Sequence, residues 1–165
     1  MQEDIVFRIA TPTSSDMQKY LGIVCDVFYK IKPNVLQEKL EKLGEDTRFY
    51  VFEKDNLFIS SLFIHPIMID SVMVGGIGGV GTRLNHRGKG YGKTLLKKVI
   101  SDSRGSYDAL LLWTKVFQYF NGFGFQDITQ YFQEDPNGPT PMMYFNKPEA
   151  DVLSRFSEKL PRRYF

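Results

Sequence analysis

The stretch "VGGIGGVGTRLNHRGKGYGKTLL", residues 74–96, constrains the fold more than any other part of the chain. Its first half is apolar and rich in glycine, which predicts a strand that another group can approach closely. From Gly90 onward, Leu95, Leu96, Val99 and Ile100 recur at helical spacing. A strand must therefore lead through a short polar loop into an amphipathic helix.

The rest of the chain alternates between strand and helix patterns and predicts a mixed α/β or α+β sheet with helices packed on it. Lys54–Asn56 should form a turn between two strands, and Pro33 and Gly44 suit the start and the end of a helix. The predicted order is a strand (5–10), helices (14–31 and 32–44), strands (47–53, 57–69 and 70–82), a helix (88–103), a strand (107–114), a short helix or turn (116–123), strands (124–134 and 140–146) and a helix (148–160).

Composition limits the partners and the compartment. The formal net charge is only +2, so nucleic acid is not expected as a partner. Cys25 is the only cysteine, which excludes an internal disulfide, fits a reducing cytoplasm and suggests a buried structural thiol. No run reaches the roughly 18 apolar residues of a membrane span, so no membrane partner is expected. No metal site is expected either.

Two familiar phosphate-binding motifs do not fit the glycine-rich stretch. A P-loop ending in "GKT" would need glycine at position 87, which is Arg87, and the polar "TRLNH" precedes it instead of a strand. Gly76, Gly78 and Gly81 match the spacing of a dinucleotide fingerprint. That motif requires a helix to open at once, and "TRLNHR" intervenes.

The pattern R-x-x-G-x-G at the start of a helix fits better, with Arg87, Gly90 and Gly92. The first turn of a helix offers unpaired N–H groups and about half a positive charge, which a pyrophosphate satisfies. Glycines let phosphate oxygens reach the backbone. Lys89 and Lys93 add positive charge at an end where cations otherwise oppose the helix dipole.

Together, "GIGGVGTRLNHRGKGYGKTLL" (76–96) and "QYFNGFGF" (118–125) resemble the GNAT superfamily of acyl-CoA N-acyltransferases. The resemblance extends from Ile5 to Asn146. It implies a mixed, mostly antiparallel central sheet of about six to seven strands, flanked by helices and splayed at the acyl-CoA site. It also implies a GNAT-like domain over residues 1–147, with a C-terminal helix and tail (148–165) packed on it.

The same resemblance implies transfer of an acyl group from acetyl-CoA, or another acyl-CoA, to a primary amine of a small molecule or peptide. Whether two copies form a homodimer is left open. Val80, Gly81 and Thr82 match the strand that pairs with the pantetheine arm. The residues that match the pyrophosphate loop and its flanks are Arg87, Gly88, Lys89, Gly90, Tyr91, Gly92 and Lys93.

The glycines of the strand also suggest a role that does not depend on the family resemblance. Gly78, Gly79 and Gly81 would leave room for the thioester arm against the backbone and permit a bulge. Close packing of a helix explains the same glycines, and the two explanations are compatible.

Two positions depart from the family pattern. Leu84 stands where a proline is usual, which is tolerated if the loop is held otherwise. Phe120 stands where the family often places the tyrosine that protonates the leaving thiolate. Tyr119 is adjacent and is the candidate general acid. The departure at Phe120 also motivates an alternative, a CoA-binding sensor or interaction module without transfer activity.

The general base is not assigned. An alkylamine has a pKa of about 10.4, so a base or a water chain must remove a proton. Glu53, His65 and Asp70 are the polar candidates near the central strands. Glu53 is expected to be solvated, His65 to end a strand and Asp70 to cap a turn. The nearby aromatic residues, Trp113, Phe117, Tyr119, Phe120, Phe123 and Phe125, are expected mainly in the core.

Overall fold

The computed structural model describes residues 5–11, 14–27, 38, 43–132 and 137–156. Its strands and helices alternate as the sequence patterns predict. The described elements are β1 (Val6–Ala10), α1 (Ser14–Val27), β2 (Arg48–Lys54), β3 (Leu57–Ile69), β4 (Val72–Thr82), a 3-10 turn (Leu84–His86), α2 (Tyr91–Ser103), β5 (Ala109–Thr114), α3 (Phe117–Asn121), β6 (Gln126–Asp127), a second 3-10 turn (Thr129–Tyr131), β7 (Thr140–Phe145) and α4 (Glu149–Leu153).

Seven strands hydrogen-bond in the order β1-β2-β3-β4-β5-β7-β6. The pairs β1–β2, β2–β3, β5–β7 and β6–β7 are antiparallel, whereas β4 and β5 are parallel. This confirms the predicted mixed, mostly antiparallel sheet. The ladder between β4 and β5 comprises residues 74–76 and 109–111, whereas β4 itself continues to Thr82. Gly75 and Gly76 lie within this ladder, and the expected splay of the strands at the acyl-CoA site stays a prediction.

The described chain divides into two compact units, and β3 and β4 contribute a segment to each. The first unit comprises Met1–His65 with Gly78–Val99. In it, the apolar face of α1 packs on β1, β2 and β3. Its buried cluster consists of Ala10, Tyr20, Leu21, Ile23, Val24, Phe49, Val51, Phe58 and Phe63. On α1, Leu21 and Val24 belong to this cluster, and Met17 packs against it half-buried.

The second unit comprises Pro66–Ile77 with Ile100–Phe165. Its apolar cluster joins β4, β5 and β7 to α4, whose Val152 is fully buried. Asp108 fixes the start of β5, because its carboxylate accepts a hydrogen bond from the N–H of Met73 at 3.0 Å and pairs with Lys147 and Arg155. The hydrogen bond from Lys147 lowers the pKa of Asp108 despite the opposing effect of burial.

The hairpin between β2 and β3 turns at the predicted place. Asp55 and Asn56 have φ values of 49° and 62°, and this pair of left-handed residues suits the tight turn of an antiparallel hairpin. Asp70 lies in the predicted turn before β4 and is also left-handed, with φ of 50°. Asparagine and aspartate tolerate this conformation better than most residues.

Three sequence predictions need correction. The strand predicted over 124–134 is much shorter, because β6 ends at Asp127, whose carboxylate accepts hydrogen bonds from Thr129 N–H (2.8 Å) and Oγ1 (2.6 Å) and starts a turn. Residues 133–134 of the predicted strand lie outside the described residues. His65 does not end a strand, because β3 runs on to Ile69. The β2–β3 ladder stops at Ile64, so the missing N–H of Pro66 removes no hydrogen bond from this ladder.

The third correction concerns the last helix. The sequence predicts it over residues 148–160, but α4 ends at Leu153 and residues 154–156 are not helical, whereas residues 157–160 lie outside the described residues. The hydroxyl of Ser154 donates to the carbonyl of Asp151 at 3.2 Å, and such a local bond competes with the helix. The predicted helix over 32–44 lies largely outside the described residues, as do residues 28–31 and the terminal "RRYF". Of the helices in the described ranges, none is long and apolar enough to cross a bilayer.

Candidate functional site

The loop between β4 and α2 has the geometry of an anion-binding turn. It passes through the 3-10 turn to Arg87, which is extended (φ −68°, ψ 160°), and then through Gly88 and Gly90, with φ of 77° and 84°. Both glycines are exposed, and a Cβ at either would meet no heavy atom of the described residues within 4 Å. Only glycine adopts such angles without strain, so the sequence permits this turn where other residues would resist it.

Helix α2 opens directly from this turn. Its first hydrogen bond runs from the N–H of Thr94 to the carbonyl of Gly90 at 3.0 Å. The N–H groups of Tyr91, Gly92 and Lys93 precede that bond and have no acceptor within the helix. They lie beside the open backbone of Gly90, where a phosphate oxygen could accept from them.

The charges of α2 run against its own dipole. Arg87, Lys89 and Lys93 are exposed at the N-terminal end, and the first turn of this fully described helix contains no acidic residue. Asp102 lies near the C-terminal end, where a cation would be favoured. A bound anion at the N-terminus would remove the conflict. Arg87 also helps to shape the loop, since its Nε donates to the carbonyl of Thr82 at 3.0 Å.

The glycines of β4 accommodate side chains of the protein itself. A Cβ at Gly78 would overlap the ring of Phe63, and one at Gly79 would overlap the hydroxyl of Tyr20. At Gly81 it would lie 3.2 Å from Val27 of α1. Close packing therefore accounts for all three glycines. The predicted irregularity of the strand is present at Gly79, whose φ is 58°.

The residues predicted to pair with pantetheine are fixed from β3. Ser60 Oγ donates to the carbonyl of Gly81 at 3.1 Å and lies 2.8 Å from Thr82 Oγ1. Gly81 is buried, whereas Val80 and Thr82 are half-buried. This end of β4 is thus held rigidly before the turn begins. The assignment of Val80, Gly81 and Thr82 to pantetheine remains a prediction.

Helix α3 places Tyr119 on its exposed side and Phe120 on its buried side. Phe120 is only 5% exposed and packs on Phe125, with ring centroids 6.0 Å apart. Tyr119 is 42% exposed and contacts the rings of Phe120 and Phe123. Burial raises the pKa of Tyr119, so its hydroxyl keeps its proton at neutral pH and can donate it. Phe120 and Phe125 lie in the core as expected, but Phe117 and Tyr119 are surface residues.

Glu53 is not solvated, contrary to the sequence expectation. Its side chain is 15% exposed and accepts hydrogen bonds from Arg8 Nε and Lys19 Nζ, each at 2.5 Å. Burial alone would raise the pKa of Glu53, but the bonds from Lys19 and Arg8 outweigh it and lower the pKa. β1 and α1 bring these cations to β2, a contact between distant parts of the chain that the sequence did not reveal. A carboxylate paired in this way is a poor proton acceptor.

The other base candidates differ in environment. The Nδ1 atom of His65 lies 2.8 Å from Thr47 Oγ1, and burial lowers the pKa of His65, so its ring is neutral near pH 7. Asp70 is exposed in its turn. Cys25 is half-buried on α1 and not fully buried as expected. None of these residues gains a catalytic assignment.

Arg83 is a contributor to the loop that the sequence did not single out. It follows β4 directly and contacts both β3 and α1 through its backbone and its side chain. Two signals could have revealed it. It is a cation between the strand and the glycine turn, and Gly22 lies in the middle of an otherwise helix-forming segment.

Comparison with known proteins identifies the family. The model of the acetyltransferase (GNAT) domain matches residues 8–128. The chain belongs to this family. That match includes both motifs that suggested the resemblance, the loop before α2 and the segment around α3. A comparison with curated proteins finds no match in sequence.

Solved GNAT structures share the fold. A GNAT family N-acetyltransferase (YhbS) from Escherichia coli in complex with CoA has a TM-score of 0.71 and 13% identity, covering 98% of this chain and 91% of that chain. A GNAT family acetyltransferase from Brucella melitensis in complex with acetyl-CoA has a TM-score of 0.62 and 16% identity, and the match covers 87% of this chain and 90% of that chain.

A conserved protein of unknown function from Enterococcus faecalis V583 has a TM-score of 0.62 and 21% identity to this GNAT protein. The match covers 74% of this chain but 32% of that one, so the chain spans about a third of its length. At these identities, the structural likenesses establish the fold alone.

Proposed function

We propose that this GNAT-family protein is an N-acyltransferase that moves the acetyl group of acetyl-CoA, or the acyl group of another acyl-CoA, to a primary amine. The observation that carries the proposal is the turn before α2. It combines two open left-handed glycines, three N–H groups without helical acceptors and three exposed cations. These features suit a pyrophosphate, which the family fold and the relatives crystallised with CoA or acetyl-CoA support as the ligand.

The chain's residues would act in two ways. The backbone N–H groups of Tyr91, Gly92 and Lys93 would bind the pyrophosphate, and the exposed side chains of Arg87, Lys89 and Lys93 would add positive charge. Val80, Gly81 and Thr82 would orient the pantetheine arm. In the reaction, the amine nitrogen bonds to the thioester carbonyl carbon as the carbon–sulfur bond breaks. The amine loses a proton, and the departing thiolate gains one, for which Tyr119 is the candidate donor.

The acceptor is proposed as a small-molecule or peptide amine. The net charge of +2 offers little attraction for a strongly acidic or a strongly basic macromolecule, so neither nucleic acid nor a membrane is proposed as a partner. A reducing cytoplasm, expected from the single cysteine, is the proposed location.

A second candidate function has a specific observation in its favour. Phe120, at the usual tyrosine position, is buried, and Glu53 is committed to two cations. A protein with these features could bind CoA without transferring its acyl group and act as a sensor or interaction module. This candidate shares the phosphate-binding turn with the first and differs only in turnover.

Two measurements on the purified protein separate the candidates. Calorimetric titration with CoA measures binding, and release of free thiol from acetyl-CoA is followed over a panel of small amines and peptide N-termini. Binding with amine-dependent thiol release supports the transferase. Binding without turnover on any member of the panel supports the module. Absence of CoA binding contradicts both.

A further inference from the structure

We infer that Arg83 is a positioning residue that ties the phosphate-binding turn to α1, so that α1 helps to set the affinity for CoA. The inference rests on the proposed function, because it concerns how the same turn is held. Arg83 is the first residue after β4 and precedes the 3-10 turn that leads to Arg87 and the glycines.

The backbone and side chain of Arg83 are fixed on two elements at once. Its N–H donates to the carbonyl of Ile59 at 2.9 Å, and its Nε donates to the carbonyl of Phe58 at 2.7 Å, so β3 holds one side. Its Nη1 forms an ion pair with Asp26 of α1. The arginine side chain is 21% exposed, which means that most of it lies against protein.

Gly22 makes the contact with α1 possible. It lies one helical turn before Asp26, and a Cβ at this position would be 3.2 Å from Nη2 of Arg83. Glycine in a helix interior costs about 1 kcal/mol relative to alanine. The structure gives a physical reason for this unfavourable glycine in α1, because the guanidinium of Arg83 lies against the helix next to the place of a side chain at position 22.

Arg83 also answers a question that the sequence raised. Leu84 replaces the proline that is usual in the family's loop, and it is 72% exposed with no buried packing to fix it. The bonds of Arg83, together with the bond from Arg87 Nε to the carbonyl of Thr82, constrain the same short segment from both ends. Rigidity that proline would supply through its ring is here supplied by side chains.

The inference predicts a selective effect on the acyl-CoA substrate. Arg83 contacts β3 and α1, so we expect it to act through the turn and not on the reacting atoms. Loosening the turn should weaken CoA binding about tenfold, because small displacements of positioning groups have effects of this order or larger. The KM for acetyl-CoA should rise similarly, while kcat and the KM for the amine should change little.

The test compares three variants by titration with CoA and by steady-state kinetics. R83M keeps the apolar stem and removes every guanidinium bond. D26N removes the ion-pair partner. G22L places a side chain in the path of the guanidinium from α1, without altering the turn. Leucine favours helix over glycine, so G22L should keep or increase the melting temperature while the dissociation constant for CoA rises.

R48M is the matched control, because Arg48 also donates to two carbonyls, those of Glu45 and Thr47, but at the start of β2. Its affinity for CoA should equal that of the wild type. The double variant R83M/G22L should bind CoA no more weakly than R83M, because both substitutions disrupt the same contact between residue 83 and α1. Unchanged CoA affinity in R83M and G22L overturns the inference, and a wild type that does not bind CoA overturns the proposed function with it.

Discussion

Replacing Gly90 with valine tests the phosphate-binding turn most directly. Gly90 has a φ of 84°, and its surroundings are open, so a side chain there collides with nothing in the described protein. The same side chain would project from the residue whose carbonyl begins α2. We expect G90V to fold but to lose stabilisation by CoA, because a phosphate can no longer approach the first N–H groups of the helix.

The magnitudes separate the two effects. A left-handed conformation costs an ordinary residue about 1–2 kcal/mol, and more for a β-branched one. For a protein of this size, about 2–4 °C of melting temperature corresponds to each kcal/mol, so an ordinary residue would lower the melting temperature by roughly 2–8 °C and G90V should lower it by more. CoA at a hundred times its dissociation constant should stabilise the wild type by about 2.7 kcal/mol, or about 5–11 °C. G90V should show almost none of this increase.

The assay is thermal unfolding over a series of CoA concentrations. G124A is the control for backbone strain, because Gly124 also has a positive φ, of 93°, and lies in the loop between α3 and β6. G124A should lose stability without ligand and keep the full increase with CoA. An undiminished increase in G90V would show that the pyrophosphate binds elsewhere and would refute the reasoning.

Three further predictions follow from single contacts. Y119F should lower kcat with little change in KM and remove the alkaline limb of the rate profile, which in the wild type should lie above the ordinary pKa of tyrosine because burial raises the pKa of Tyr119; an intact profile in Y119F would disprove the general-acid role. E53Q should destabilise the protein at pH 7 by about 2 kcal/mol. The lowered pKa of Glu53 means that its contribution is present above its ordinary pKa and is lost as the pH falls through the lower folded value, so urea unfolding of E53Q and wild type should converge in acid. G79A should destabilise by about 3 kcal/mol, because its Cβ overlaps the hydroxyl and the ring of Tyr20 at a left-handed residue, and Y20F/G79A should recover part of that loss by removing the hydroxyl; no recovery would show that the hydroxyl overlap contributes little.

The elements that the sequence predicts correctly are those with long, regular apolar patterns. The strands of the β2–β3 hairpin, β4, α2 and β5 all occur where periodicity and turn residues place them. The errors fall where one local polar contact decides. Asp127 ends β6 because its carboxylate accepts hydrogen bonds from Thr129. The strand propensities of the neighbouring residues do not predict such bonds.

Contacts between distant parts of the chain were equally inaccessible from the sequence. Glu53 lies before a turn, and its position along the chain suggests a solvated carboxylate. Arg8 and Lys19 reach it only after β1 pairs with β2 and α1 packs on the sheet. Arg83 likewise meets Asp26 and Gly22 only through that packing. Predicting these environments requires the register and the helix docking, which no local pattern contains.

The glycines of residues 74–96 show how structure separates two causes that look alike in sequence. Gly78 and Gly79 are filled sites, where Phe63 and Tyr20 occupy the space that a side chain would need, and Gly81 is a tight site against Val27. Gly88 and Gly90 are open sites, so internal packing does not explain the absence of a side chain there. Their positive φ angles are also compatible with a purely structural turn, as at Gly124. The turn at Gly90, however, ends at N–H groups without helical acceptors among exposed cations, an arrangement that an anion would stabilise. The tight glycines of β4 thus support the fold, whereas the open glycines before α2 are those for which we propose a phosphate ligand.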